Sequence, residues 1–376
     1  VPVPQWAVAA AEVLDRLPGK RPLKRLTFRP PNYETPFEYL DEAITPSDAF
    51  FVRYHYAAIS ELSAADWRLE LAGDAAARPM SWSLDELRRG FAAAEVVAVC
   101  QCSGNRRDLL DPPVTGLHWS YGAMGNARWR GVRLRDLLQA ANVSDEAVEV
   151  AFAAADAPFF ETAPDFAKSL PRWKALHEDT LIAYEMNGEP LPHWNGFAAR
   201  LVVPSWTATY WVKHLTQLDA RLTPSDNYWV DTAYRVPDWT FPLIERFAGH
   251  DSGGRTAVTE LPVNSLITWP LERARLKLLG PEQLRGICWD AGYGVERVEV
   301  SFDEGGTWSQ ARLGENLGRY SFRRWEYPLV GQKVGGLTVQ VRATNRAGQT
   351  QTVRPIANPS GYQHNAIHQI SVEIRA

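Results

Sequence analysis

Cysteine is scarce in this chain. Three residues in 376, Cys100, Cys102 and Cys288, build no disulfide framework, and a bridge between Cys100 and Cys102, two positions apart on a β-rich run, would violate disulfide geometry. Thiol usage leaves the compartment open. No second Cys pair or His pair stands nearby to complete the four N/S ligands of a structural zinc site. Long apolar runs are also missing: none approaches the ~18–20 residues that span a bilayer. The opening VPVPQWAVAAAEVL has no basic n-region or cleavage site, so the chain reads as a soluble mature form whose export leader is gone. Charge of one sign is lacking too. Forty Lys and Arg against 44 Asp and Glu give a net charge of -4, which excludes the global basic field of a nucleic-acid binder and makes any attraction for anions local. There is no Walker loop, no GxGxxG after a strand, no CxxCH and no GxSxG. Nucleotide, covalent-haem and serine-hydrolase chemistry lose their usual support.

What is present is ordinary globular composition, 45% apolar and 22% charged, in a chain long enough for two domains. Residues 1–45, rich in proline and charge, suit an extended arm draped over a domain. The first strand signal is AFFVRYHYAAI. SWSLDELRRG reads as a short helix with Ser83 and Glu86 at capping-box spacing and Gly90 closing the far end. AEVVAVCQC is a strand, GVRLRDLLQAANV a helix and AVEVAFAAAD a further strand. Asn187-Gly188 after LIAYEM is a strong hairpin signal. This mixture predicts an α+β domain over residues 1–255, arm included. Beyond a linker marked by Gly253 and Gly254, helix signals almost vanish. VERVEVSFDEGGTW and LTVQVRATNRAG alternate with period two, placing Val298, Val300 and Phe302, then Val339, Val341 and Ala343, on inner faces. Residues 256–376 therefore read as an all-β, immunoglobulin-like sandwich.

The stretch CQCSGNRR joins an apolar strand to a thiol, a Ser-Gly turn and two arginines. Strand parity puts Cys100 and Cys102 on one face and does not separate ligand from core filler; the turn favours Cys102 as the more exposed. A thiol beside guanidinium groups is held more readily as a thiolate, the form that binds metals, whereas a plain core cysteine and a solvated arginine pair remain the alternative. His250, Asp251 and Ser252 have the residue types of a hydrolase triad but are adjacent in sequence, and read as a turn. Arg53 and His55 share a strand face, and Lys213 precedes His214 in an aromatic setting. Desolvating such cations without an anionic partner is costly, so together they ask for a phosphate-bearing cofactor and a small oxyanion.

FFVRYH, CSGNRR, GAMGNARWRGVRLRDLL, LIAYEMNGEPLP, GF followed by RLVVP, WVKHL and DEGGTW occur in that order. In this set the chain resembles the sulfite oxidase family of molybdenum enzymes. The resemblance implies a molybdenum–molybdopterin cofactor in the first domain, with Cys102 as the metal's one protein ligand. It implies Arg53 and Arg107 as substrate arginines, Tyr234 as the active-site tyrosine and Trp119 as pocket wall. Phe51, Val52, Tyr54, His55, Asp156, Asn195, Arg200, Ser205, Val212 and Lys213 would surround the pterin and its phosphate. Asn195 stands where many relatives have His, and Tyr54 where animal enzymes have Asn. With no haem or flavin domain in the sequence, the pattern looks most like the catalytic subunit of a bacterial sulfite dehydrogenase. That implies oxidation of sulfite to sulfate, a separate c-type cytochrome as acceptor, a heterodimer with that haem subunit and a periplasmic location. A sulfane dehydrogenase subunit acting on protein-bound sulfur is the alternative, and a non-enzymatic binding module the alternative of another class.

Overall fold

The computed structural model describes residues 14–57, 61–156, 158, 162–237 and 254–376. The turn expected at His250–Ser252 and the linker residue Gly253 lie outside them.

Strands outweigh helices in the first half, which corrects the α+β expectation towards a mostly β architecture. The longest α-helices among the described residues, Leu84–Gly90 and Leu134–Ala140, have seven residues each. Helices this short are not stable alone and hold only by packing against sheets. Leu84–Gly90 starts as its sequence dictates: Ser83 accepts the Glu86 amide and the Glu86 side chain accepts the Ser83 amide. Its far end differs, because Gly90 is the last helical residue and Phe91 leaves in extended conformation.

Nor is the N-terminal segment an extended arm. Leu14–Asp15, Leu23–Thr27, Asn32–Glu34 and Val52–Arg53 pair in that order as an antiparallel sheet. Leu17, Leu23, Tyr33, Val52 and Tyr54 form its own apolar cluster. The prolines that suggested irregular chain, Pro22, Pro30, Pro31 and Pro36, fall just outside these strands, where a missing amide costs no ladder bond.

Two further sheets build the main core. One runs Ala167–Pro171, Glu149–Ala154, Leu215–Arg221, Arg68–Ala72, Met80–Ser83; the other runs Glu189–Pro190, Leu181–Met186, Met124–Arg133, Ala93–Gln101, with Arg200–Val202 pairing onto Leu181–Met186. Asn187 and Gly188, both at positive φ (56° and 86°), turn the expected hairpin, since a type I′ turn needs φ > 0 at both central residues.

In the second half, Asn264–Trp269, Pro281–Trp289, Arg323–Val330 and Arg312–Leu313 form one sheet, and Arg275–Lys277, His368–Arg375, Gly335–Asn345, Val295–Ser301 and Ser309–Gln310 the other. Both contribute to one apolar cluster containing Val298, Val300, Val339, Val341 and Ala343, the residues that the period-two alternation puts inside. Phe302 only packs against its edge. A third cluster joins the halves: Val99 and Met124 pack with Leu266, Ile287, Trp289 and Phe322. Across the same seam Arg106 donates to Asn264 Oδ1 (2.6 Å) and to the Ala366 carbonyl (3.0 Å).

Candidate active site

The strand Ala93–Gln101 is partly exposed over its first residues and buried from Val97 onward, because there it runs between Met124–Arg133 and the Tyr320 bridge from the second half. It delivers Cys102 to the interior. The Cys102 amide donates to the Ala123 carbonyl (2.9 Å), and the Cys102 carbonyl accepts the Asn105 amide (3.0 Å). Asn105 Oδ1 accepts the Ala123 amide (3.1 Å) and closes the turn. Cys100 and Cys102 face one cavity, as parity requires. They differ in setting. Cys100 is 1% exposed and Cys102 9%, and burial pushes the Cys100 thiol up to about 11, against the opposing pull of Arg200. Cys100 is thus held protonated as a core thiol, while Cys102 stands at the cavity wall.

That cavity measures about 680 Å³ out to its open mouth. Its walls carry Arg53, Arg200 and Lys213, with Asp156 as their single carboxylate among the described residues. Arg200 donates through Nη1 to the Asn195 carbonyl (2.9 Å) and through Nη2 to the Trp211 carbonyl (3.1 Å); its Nε has no partner among the described residues. Lys213 Nζ donates to the Arg53 carbonyl (2.7 Å). Carbonyls satisfy these donors but do not neutralise their charge, and an uncompensated buried charge is costly. Burial accordingly pulls Lys213 far below its ordinary pKa and raises Asp156, each tempering the other. A bound anion would relieve the strain. Among the described residues no three His, Cys, Asp or Glu gather as a metal cage. A metal here would need a single protein thiolate and further ligands from an anionic cofactor, which is what molybdopterin brings. The residues fit that group.

A second opening also reaches Cys102. Arg53, His55, Cys102 and Tyr234 line both spaces, so the thiol lies where the cofactor cavity meets a funnel from the surface. Arg53, Arg107, Arg235 and Arg255 line this funnel, and no carboxylate does among the described residues. Arg107 Nε donates to the Ser360 carbonyl and Nη1 to the Leu117 carbonyl, both at 2.8 Å. Its guanidinium packs so close to Gly104 and Gly116 that a Cβ there would lie 2.4 and 2.8 Å from it. Tyr234, at φ 59°, meets His55 Nε2 through its hydroxyl (2.5 Å). The His55 ring stacks on Phe166 at 4.3 Å. Burial first, then Arg53, Lys213 and Lys168, hold His55 well below its ordinary pKa, so it is neutral and can share one proton with the phenol.

Of the residues expected around the cofactor, Phe51, Tyr54, His55, Asp156, Asn195, Arg200, Val212 and Lys213 line the cavity, and Arg107 and Trp119 line the funnel. Val52 and Ser205 do not. Val52 alternates away from Phe51 and Arg53 into the N-terminal cluster. Ser205 accepts Lys174 Nζ at 3.0 Å and the Leu261 amide at 2.8 Å, which places it against the second half of the chain. The paired arginines of CSGNRR also divide: Arg107 enters the funnel, whereas Arg106 turns into the seam. Sequence reasoning missed Tyr362 and Ser360, loop residues of the second half that reach the funnel, and Lys168, which lines neither space but lies over the Tyr234 ring at 5.1 Å and bears on His55.

A cation-lined cavity walled by Cys102, beside the protonated core thiol of Cys100, suits an oxidoreductase built around molybdopterin. Residues 55–229 match the oxidoreductase molybdopterin binding domain and residues 255–375 the Mo-co oxidoreductase dimerisation domain. The human mitochondrial sulfite oxidase is 33% identical over 94% of this chain and 66% of its own length, and the Gallus gallus sulfite oxidase 33% identical over 97% and 82%. The chain spans about two thirds of the length of its mammalian relatives. Its fold matches the sulfane dehydrogenase SoxCD of Paracoccus pantotrophus with a TM-score of 0.79 over 100% of this chain and 93% of that one, at 23% identity. The chain belongs to the sulfite oxidase family of molybdenum enzymes, and its cofactor is the molybdenum–molybdopterin group.

Proposed function

We propose that the protein oxidises sulfite to sulfate and passes the electrons singly to a separate c-type cytochrome. The observation that carries this reading is the funnel, with four arginines and no carboxylate among the described residues, converging on Cys102. Such a path attracts and orients a small oxyanion. Cys102 would hold the metal and Arg200 and Lys213 the anionic pterin. When bound, the group supplies oxygen-atom transfer and stores two electrons. Arg53 and Arg107 bind and orient the sulfite oxygens, leaving its sulfur free to face the metal. Arg107 is braced for this by its two carbonyl contacts, which leave Nη2 without a protein partner among the described residues. Tyr234, bonded to neutral His55, holds or passes a proton at the phenol oxygen as product leaves.

Sulfite-dependent reduction of cytochrome c by the natively purified, molybdenum-containing protein tests the reading. Molybdenum without sulfite turnover would sink it. The second reading, a dehydrogenase of protein-bound sulfur, draws on the fold shared with SoxCD, and would then be tested with a persulfidated carrier protein. A haem-bearing partner subunit, a periplasmic location and an immunoglobulin-like second domain belong to the same proposal. The mass of the native complex tests the first of these.

A further inference from the structure

Lys20 is a buried lysine that neither the sequence motifs nor the mechanism uses. It lies in the N-terminal segment, 6% exposed, and its ammonium makes three contacts: Asn195 Oδ1 at 2.5 Å, the Ser47 carbonyl at 2.6 Å and the Phe50 carbonyl at 3.0 Å. None of the three is a carboxylate. Asn195 is thereby fixed at both ends of its amide, because its Nδ2 donates to the Phe51 carbonyl at 3.2 Å, while its own carbonyl accepts Arg200. Phe50, Phe51, Asn195 and Arg200 all line the cofactor cavity. One side chain from the loop that joins the first two strands of the N-terminal sheet therefore fixes two cavity-wall segments that are 145 positions apart in the chain (Phe50 and Asn195).

The charge matters as much as the geometry. Burial lowers the Lys20 pKa to about 7; the attraction of Asp48 opposes this and the repulsion of Arg200 adds to it. Lys20, Arg200 and Lys213 are three cations taken out of water; the carboxylates that act on them are Asp48 on Lys20 and Asp156 on Lys213, while Arg200 has only the weak acids Cys100 and Tyr54 among the described residues. Such a cluster is costly unless an anion completes it.

We propose that Lys20 is a positioning residue of the cofactor site, one that locks Asn195 and adds its charge to the Arg200–Lys213 grip on the anionic cofactor, so that the first loop of the N-terminal segment forms part of that grip. This rests on the cofactor assignment and not on sulfite being the substrate. Lys20 would stabilise the loaded protein and burden the empty one, since the attraction of Asp48 offsets its burial only in part and the anion supplies the rest. A merely structural lysine would stabilise both alike.

The test compares wild type, Lys20→Met and Lys20→Arg as full chains, each with and without cofactor, reading melting temperature and molybdenum retained on prolonged dialysis. For Lys20→Met the expected results are roughly tenfold faster molybdenum loss, in the range seen when residues supporting a metal's ligands are removed, and a melting gap between loaded and empty protein clearly narrower than wild type. Lys20→Arg should recover part of both. Asn195→Ala, alone and combined with Lys20→Met, should give non-additive losses. A loaded–empty gap unchanged in Lys20→Met, with both forms shifted equally, would overturn the proposal, as would additive losses in the double variant. If Lys20→Met is not recovered folded, Asn195→Ala with a wild-type gap overturns it instead. Wild type that binds no molybdenum would refute the cofactor assignment itself, a result distinct from these.

Discussion

Two neighbouring arginines should fail in different ways. Arg106 is fully buried and donates to Asn264 Oδ1 and the Ala366 carbonyl; burial lowers its pKa to about 10, so it stays charged at neutral pH. Hydrogen bonds from charged groups contribute roughly 1.5–3 kcal/mol each, which sets an upper range of about 3–6 kcal/mol for the pair. Two features reduce that. Arg106 Nε is without a partner among the described residues, so burying it has a cost that Met would not carry. Gln351 Nε2 also donates to Asn264 Oδ1 and Ala366 O, so neither acceptor is orphaned. Arg106→Met should therefore cost about 2–3 kcal/mol of stability, read as an earlier urea midpoint by circular dichroism. The sulfite KM of the folded fraction should stay near wild type. Arg107→Met also loses two bonds, to the Ser360 and Leu117 carbonyls, and should lower the midpoint as well, but in its folded fraction the sulfite KM should rise roughly tenfold or more. A wild-type midpoint for Arg106→Met, or a KM raised as far as in Arg107→Met, would refute the division of labour.

Cys102→Ser should fold, keep the pterin and lose nearly all turnover; an active serine variant would remove the ligand assignment. Arg53→Met should raise the sulfite KM roughly 10- to 150-fold, the equivalent of about 1.5–3 kcal/mol, and an unchanged KM would put Arg53 outside the substrate path. Gly104→Ala should mimic a weakened Arg107, because the new methyl meets the movable end of a side chain and not backbone; kinetics and melting together separate that from a folding defect. Burial pushes His214 and His368 down to about 3 from 6.5, so below pH 6.5 the unfolded chain takes up protons that the native state refuses. Stability should be full above that pH and fall on acidification by about 1.4 kcal/mol per pH unit for each fully titrating histidine. Urea titrations at about pH 6.5 and 5.5 with the same midpoint would contradict this.

The position of Cys102 was legible because its signal is local. CSGNRR announces a strand, a turn and a thiol within a few residues, and the structure needs no distant contact to put Cys102 at the strand's end. The pterin-side cations in FFVRYH and WVKHL were legible for a related reason: isolated charges inside apolar sequence ask for a buried counterion wherever the chain folds. What stayed hidden depends on contacts between distant segments. The proline-rich N-terminal segment reads as loop, since each strand is at most five residues and only its partners make it a sheet. Lys20 carries no signal of its own, because its role exists only once residues 20 and 195 meet. Arg106 and Arg107 are the same residue type in adjacent positions, and the left-handed turn at Arg106 (φ 69°) sends one to the seam and the other to the funnel.

On the proposed roles of Arg107 and Tyr234, that separation would give the second half of the chain a part in the chemistry. Arg107 is braced by the Ser360 carbonyl, and Tyr234 stacks on Tyr362 at 5.5 Å, so two proposed substrate-side groups lean on one loop of the C-terminal sheets. Gly361, between them, sits against Leu110, Val114 and Arg107, where a Cβ would approach to 2.6–3.1 Å, and its φ of 60° is one that side chains rarely adopt. Gly361→Val should push this loop away from both groups at once. The expected result is a raised sulfite KM together with a lowered kcat, because Arg107 would lose its brace and Tyr234 its stacking partner, while molybdenum content stays at the wild-type level. Loss of molybdenum in that variant would mean that the loop supports the cofactor cavity, and that the two spaces meeting at Cys102 are not independent.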